Sequence, residues 1–240
     1  MSTPYAFKLS PSMLTFLWDE CPRCFWLQAR HGVHPPRTPF PSVFSRYHDI
    51  LQQYFTGRCP STLHTSLPRG QCMSRETWVK SVPFDVAGGK VFFHGRLDHL
   101  MCFDDGTWGI IDYKTTEIGQ VNLRKYARQL HAYAWALENA APGEVHISPI
   151  VLLGLLCLEP VQVTDFTANT AATVELRPLW IEIKRNDAGF RQFLGRVVVL
   201  LQQHEAPPSR EGCPGCTYLA RRSEVAERLH AAHFSTVVQG

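Results

Sequence analysis

The sequence predicts an α/β or α+β sandwich formed as one domain over residues 1–240. Three observations carry that reading. Helical and strand patterns succeed one another as two helices, a β-meander, a helix, two strands and a closing helix. The stretch SPIVLLGLLCLEP (148–160) is apolar throughout, as a strand covered on both faces requires. A chain of 240 residues with 45% hydrophobic and 19% charged side chains also suffices for one substantial core.

Each element follows from local chemistry. Ser10-Pro11-Ser12 is a helix start, with Met13, Leu14, Phe16, Leu17 and Trp18 supplying an apolar face. CPRCFWLQARHG follows, and then the proline-rich loop HPPRTPFPS (34–42). Ser42 opens a second helix, with Phe44, Tyr47, Leu51, Tyr54 and Phe55 at helical spacing. Residues 57–77 are polar and read as irregular. Strands are expected at 78–86 and 90–103, joined by Ala87-Gly88-Gly89; Asp104-Asp105-Gly106 turns the chain into a third strand at 107–115. From Asn122 to Asn139, Leu123, Ala127, Leu130, Ala134 and Leu137 mark one face of a helix that Pro142-Gly143 ends. The apolar run at 148–160 and LRPLWIEIK (176–184) are strands. A helix over about 188–203 then precedes the closing loop APPSREGCPGC (206–216).

A formal charge of +3 permits nucleic-acid binding without demanding it. Arginine makes up 18 of the 24 basic residues, which suits bidentate phosphate contacts, although a GC-rich genome gives the same skew. The first twenty residues contain acids where a signal peptide needs an apolar core, and VVVLL (197–201) is far too short to span a bilayer. The expectation is a cytoplasmic protein with no membrane partner. In a reducing compartment its eight cysteines are metal ligands or buried residues rather than a disulfide framework.

The stretch GRLDHLMCFDDGTWGIIDYK (95–114) mounts Asp98, Asp112 and Lys114 at the ends of apolar strands. Burying a charge is costly unless it is paired or bound to a metal. Asp112 and Lys114, two apart on a strand, share a face. Two close carboxylates repel, and Mg²⁺ or Mn²⁺ relieves this while binding oxygen well, with the Tyr113 carbonyl as a further ligand. Lys114 would then face a metal-bound water and a phosphate, positioning the nucleophile and offsetting developing charge. The alternative is a cross-strand ion pair. A second acid-x-Lys triplet, Glu182-Ile183-Lys184, shows how readily such a motif recurs, and only the GRLD segment, turn and apolar lead-in distinguish Asp112.

Asn122, Tyr126, Gln129 and Tyr133 form a polar edge on the following helix, which either reaches a site or meets water. His48 lies in an apolar stripe, as a core histidine or a metal ligand. Cys21-x-x-Cys24 and Cys213-x-x-Cys216 are two chelating pairs; joined, they make a four-sulfur site for Zn²⁺ or a [4Fe–4S] cluster and tie together distant parts of the chain. The alternative is two unrelated pairs.

Together these residues resemble the PD-(D/E)XK nuclease superfamily, in its RecB-like branch, which includes nuclease domains of recombination helicases and the iron–sulfur CRISPR adaptation exonuclease. The similarity covers most of the chain. It rests on KLSPSMLTFLWDECPRCFWL, SRYHDIL, GRLD, IIDYKT and QLHAY. The resemblance implies a restriction-endonuclease-like core, a central mixed β-sheet flanked by helices. By it, His48, Asp98, Asp112 and the Tyr113 carbonyl bind Mg²⁺ or Mn²⁺, Lys114 is catalytic, and Gln129 and Tyr133 assist at a DNA-facing edge. It further implies single- or double-stranded DNA as substrate, and partners in repair, recombination or defence. Two features depart from the pattern. The iron–sulfur members supply one N-terminal and three C-terminal cysteines, whereas here the split is two and two, with Arg222 near the place of the third; Leu97 stands where the family's name has proline. Zinc and iron–sulfur both remain open. The expectation is a nuclease module without a helicase segment. Rival readings are a catalytically silent DNA-binding protein of the same fold and a zinc-stapled scaffold.

Overall fold

The computed structural model, which describes residues 6–36, 41–117, 122–168 and 170–237, is organised around a seven-stranded mixed sheet. Its strands are β1 (Ala6–Leu9), β2 (Gly70–Lys80), β3 (Phe84–Val86), β4 (Gly89–Phe103), β5 (Trp108–Thr115), β6 (Ile150–Thr167) and β7 (Ala171–Glu182). The helices are α1 (Pro11–Thr15), α2 (Leu17–Glu20), α3 (Pro22–His31), α4 (Ser42–Phe55), α5 (Leu123–Glu138), α6 (Asp187–Leu201) and α7 (Pro214–Val237). Strand order is β1-β4-β5-β6-β7, with β2 and β3 also paired to β4. Part of the proline-rich loop at 34–42 lies outside the described residues.

The expected meander is present. Gly106 takes φ +82° in the turn between β4 and β5, and Asp105 Oδ1 accepts the Thr107 N–H at 2.9 Å. From β5 the chain must cross over, because β6 pairs with β5 in parallel, and α5 is the crossover helix. Successive residues of β5 show how the sheet divides two cores. Ile110 belongs to the larger one, with Phe93 of β4 and with Leu14, Phe25, Leu130 and Val197 from the helical layer; Ile111 belongs to a second one, with Phe55, Met101, Phe103 and Leu156. The sheet is thus flanked by helices on both faces, α4 alone serving the second.

The structure departs from the sequence expectation at five places. The first helix is three short ones, broken at Phe16 and at Cys21, which is extended (φ −160°, ψ 119°) as a residue before proline prefers. Residues 57–77 are not wholly irregular: a 3₁₀ turn at Pro60–Thr62 leads into β2, which pairs with β4. The strand expected at 78–86 is two, β2 and β3, with Pro83 between them. Strands β6 and β7 extend beyond Leu158 as an exposed hairpin that keeps its ladder but buries little, so no alternation marks it. Finally, α7 replaces the end of the expected closing loop; its residues 217–229 are nearly all exposed, leaving no apolar stripe to read. Among the described residues no helix is long and apolar enough to cross a membrane.

Candidate active site and candidate metal centre

Strand β5 brings Asp112 to the sheet's interior, and only 2% of its surface is exposed. Its Oδ1 accepts a hydrogen bond from Gln129 Nε2 of α5 at 3.1 Å. The Gln129 amide is itself oriented, since the Thr15 hydroxyl donates to its Oε1 at 3.2 Å. Oδ2 is held by the Lys114 ammonium, Nζ at 2.5 Å. That ammonium also lies 4.9 Å from the centre of the Tyr126 ring.

Asp98 enters from β4. Its Oδ2 accepts the Tyr113 N–H at 2.9 Å and stands 3.1 Å from His48 Nε2, which α4 supplies. Gln52, buried one turn further along α4, donates Nε2 to the Asp98 carbonyl at 3.1 Å and so fixes the helix against the strand. The Tyr113 backbone binds Asp98, and its ring packs edge-on against His48, centroids 5.8 Å apart. The Tyr113 ring lies in the second core, stacked on Phe55, and its hydroxyl donates to His99 Nδ1 at 2.7 Å while His99 Nε2 donates to the Met73 carbonyl. His48, Asp98, Tyr113, Lys114 and Tyr126 border an open cleft of about 570 Å³, walled by Phe16, Phe44 and Arg96 among others.

Charge in this setting is uneven. Burial pushes the Asp112 carboxyl up to about 6; Asp98 adds in the same direction and the Lys114 ammonium opposes both. Burial acts on Asp98 too, but the His48 hydrogen bond and charge, Lys114 and the Tyr113 N–H together hold it below the usual carboxylate range. For Lys114 burial works against the ammonium, and the two carboxylates outweigh it. Two carboxylates thus share one buried ammonium, a deficit that a divalent cation would offset.

The donors fit such an ion by their chemistry. Asp112 offers a buried oxygen that only the Lys114 ammonium is shown to hold, and the 3.1 Å separation of His48 Nε2 and Asp98 Oδ2 is close to that of neighbouring ligands in an octahedron, which is about 3 Å for bonds of about 2.1 Å. As a set His48, Asp98 and Asp112 are less gathered than the cysteines, which alone among the described residues form a group of ligand atoms all within 4.8 Å of one another.

Gln129 and Tyr133 reach the site but not an exposed edge. Both are buried, and the Tyr133 hydroxyl donates to the Arg96 carbonyl at 2.6 Å, fixing the strand beside Asp98. Asn122 instead caps α5, its side chain accepting the Lys125 N–H. Gly95 allows this packing: a Cβ there would stand 2.7 Å from Pro11 Cδ. Of the second triplet, Glu182 and Lys184 face solvent while Ile183 is buried. The helical stripe around His48 is only half used, with Phe44 and Tyr54 exposed at 42% and 55%. Sequence reasoning missed Thr15, Gln52 and Arg96. A lone hydroxyl inside MLTFLW is the one signal that marks Thr15.

The two cysteine pairs do meet. Each has the same local build, a cysteine just ahead of a helix, proline at the first helical position and the second cysteine one turn in, so both thiols point off a helix N-terminus. Sγ atoms of Cys21 and Cys216 are 3.7 Å apart, and Cys24 lies 3.6 Å from both Cys213 and Cys216. Burial opposes a Cys21 thiolate, yet the Arg210 N–H at 3.5 Å and the other sulfurs bring that thiol down to about 7, while burial pushes Cys24 up. These four residues can hold a metal.

Comparison with known proteins now has a geometry to attach to. The family model of the PD-(D/E)XK nuclease superfamily matches residues 64–221, and the chain belongs to that superfamily. No curated protein matches the sequence. Among solved structures, the crystal structure of SSO0001 is similar at a TM-score of 0.49 and 16% sequence identity, covering 85% of this chain and 81% of that one.

Proposed function

We propose that the protein is a Mg²⁺- or Mn²⁺-dependent deoxyribonuclease of the RecB-like branch, hydrolysing phosphodiester bonds in DNA repair, recombination or defence. The observation that supports it best is the gathering of Asp98, Asp112 and Lys114: Asp98 and Lys114 border one cleft with His48, and Asp112 is buried behind them against the Lys114 ammonium. His48, Asp98, Asp112 and the Tyr113 carbonyl would hold the ion. When bound, it supplies Lewis acidity toward a phosphate oxygen and a more acidic water. The chain's own part is positioning. Gln129, turned by Thr15, keeps Asp112 aimed at the cleft; Lys114 orients the attacking oxygen and balances charge gathering on the phosphate; Arg96 offers a second cation at the rim. The chain would work as one unit over residues 1–240, cytoplasmic, alone or with partners from such pathways.

At the cysteines we favour zinc. Four sulfurs around one ion at about 2.3 Å stand about 3.8 Å apart, which the 3.6–3.7 Å separations approach. A [4Fe–4S] cluster spreads its four thiolates over four irons and sets them wider.

Purified protein offered labelled single- and double-stranded DNA and RNA should release nucleotides or fragments with Mg²⁺ or Mn²⁺ and not with EDTA. Asp112→Asn should abolish release. A folded preparation inactive on every form with either ion, or an active Asp112→Asn, would overturn the reading in favour of a silent binding or scaffold protein.

A further inference from the structure

Along β4, away from Asp98, an exposed aromatic cluster continues the wall of the cleft. Trp78 of β2 is cross-strand partner to Arg96 and stacks on His94, ring centroids 5.3 Å apart and planes at 24°. The Arg96 guanidinium carbon lies 5.8 Å from the Trp78 ring centre. A large apolar ring held in so ordered a stack is normally covered, yet Trp78 remains 56% exposed. His94 and Arg96, two apart on the strand, share the face opposite Phe93 and Leu97, which are buried in the core. Arg96 also borders the cleft that contains Asp98 and Lys114. Cluster and candidate active site are therefore continuous through one residue.

The surroundings are cationic. Lys8 and Lys80 act on His94, which burial and these two charges hold below the ordinary imidazole range, with Glu144 the opposing acid. A protein partner would find an apolar ring in a mainly basic rim; a nucleic-acid strand offers both a π-face for the ring and phosphates for the rim. Paired bases inside a duplex present no free π-face, whereas unpaired bases do. Phe16 and Phe44, 43% and 42% exposed on the cleft, extend the aromatic surface.

We propose that Trp78, stacked on His94 and flanked by Arg96, is a base-stacking platform that holds an unpaired nucleotide of a single strand next to the catalytic cleft. The platform rests on the nuclease reading and adds to it a preference for substrates with a single-stranded segment. Trp78 is a positioning residue: its link to the cleft runs through Arg96, beside which it packs.

The test separates binding from cleavage. In an Asp112→Asn background, fluorescence anisotropy with a labelled single-stranded oligonucleotide and its blunt duplex compares Trp78→Ala, Trp78→Phe and, as a control, Phe166→Ala on the far hairpin, where Phe166 is 74% exposed. Trp78→Ala should weaken single-strand binding about 10-fold, the usual cost of one lost stacking ring. Trp78→Phe should restore most of it, and duplex binding and Phe166→Ala should change less than about 2-fold on the same scale. In the parent enzyme, Trp78→Ala should raise KM for the single strand more than it lowers kcat. Unchanged single-strand affinity in Trp78→Ala, or an equal loss on the blunt duplex, overturns the platform while the nuclease reading stands if the parent cleaves. A parent that neither binds nor cleaves nucleic acid overturns both.

Discussion

Asp112 is a carboxylate placed where water cannot stabilise its charge, between an amide it cannot lose and an ammonium it must share with Asp98. Such a residue is replaceable in shape but not in charge. Asp112→Asn keeps an oxygen for Gln129, so the circular dichroism spectrum should be unchanged while cleavage falls by at least about 100-fold, the scale of losing one electrostatic group at a reacting phosphate. Glu182→Gln, solvent-facing, should leave the rate within error; the reverse pattern would mean that the wrong triplet has been assigned. His48 is tested differently, because it sits on Asp98 rather than in the core. His48→Ala should raise the Mn²⁺ concentration for half-maximal activity more than it lowers the melting temperature, and a change in melting temperature alone would leave it a structural histidine. At this scale the sequence was a good guide to charge and a poor one to its support. An acid at the end of IIDYK stands out, since ions do not belong in apolar strands. Thr15, Gln52 and Arg96 do not, since their partners lie 114, 46 and, through Tyr133, 37 residues away.

Helix α5 shows what an element can carry on two sides. Tyr126 borders the cleft and the buried Gln129 and Tyr133 support Asp112 and the strand beside Asp98, while His131 faces α6: its Nδ1 donates to the Ala127 carbonyl at 2.7 Å and its Nε2 accepts the Asn186 N–H at 2.8 Å. That arrangement needs a neutral ring. Burial, with Arg185 adding to it, lowers the His131 pKa from its ordinary 6.5 against the pull of Ala127 and Asp187. Just below 6.5 the unfolded chain therefore binds more protons than the folded one, and this part of the stability is lost as pH falls toward the folded pKa. Urea midpoints between pH 8 and 5 should show it: His131→Gln should start about 1 kcal/mol less stable, for a hydrogen bond disturbed, and fall less steeply with acid. Equal slopes would remove His131 from the account. The α5 helix and the β4–β5 hairpin were readable because one alternates at the helical period and the other has a turn with glycine at its required φ. The outer β6–β7 hairpin and α7 were not, because an element that buries nothing leaves no pattern to find.

For the molecule as a whole, the cysteines act on chain entropy. Sγ atoms from residues 21–24 meet those from 213–216 across 189 to 195 positions of chain. A link closing so long a loop should contribute on the order of 5 kcal/mol, if it follows the loop-length dependence known for disulfides. Cys213→Ser and a strong chelator should lower the unfolding free energy by similar amounts, and each should have little effect once the other is applied. Equal stability in Cys213→Ser would remove the staple. The overall class was legible because burial on both faces makes β6 continuously apolar, whereas β1, four residues long, is too short for any period to show.

The staple also sets an order of events during synthesis. Cys24, the later of the first pair, leaves the ribosome 189 residues before Cys213, an interval of about 10 to 40 s at ordinary elongation rates. Throughout it the nascent chain displays half of a chelate, two thiols at a helix start with no second pair to close over an ion. Whatever ion they meet in that window is held by two ligands and exchanges readily. Commitment to one metal would then fall to the moment the second pair arrives, when the strands and helices that wall the cleft have already been translated.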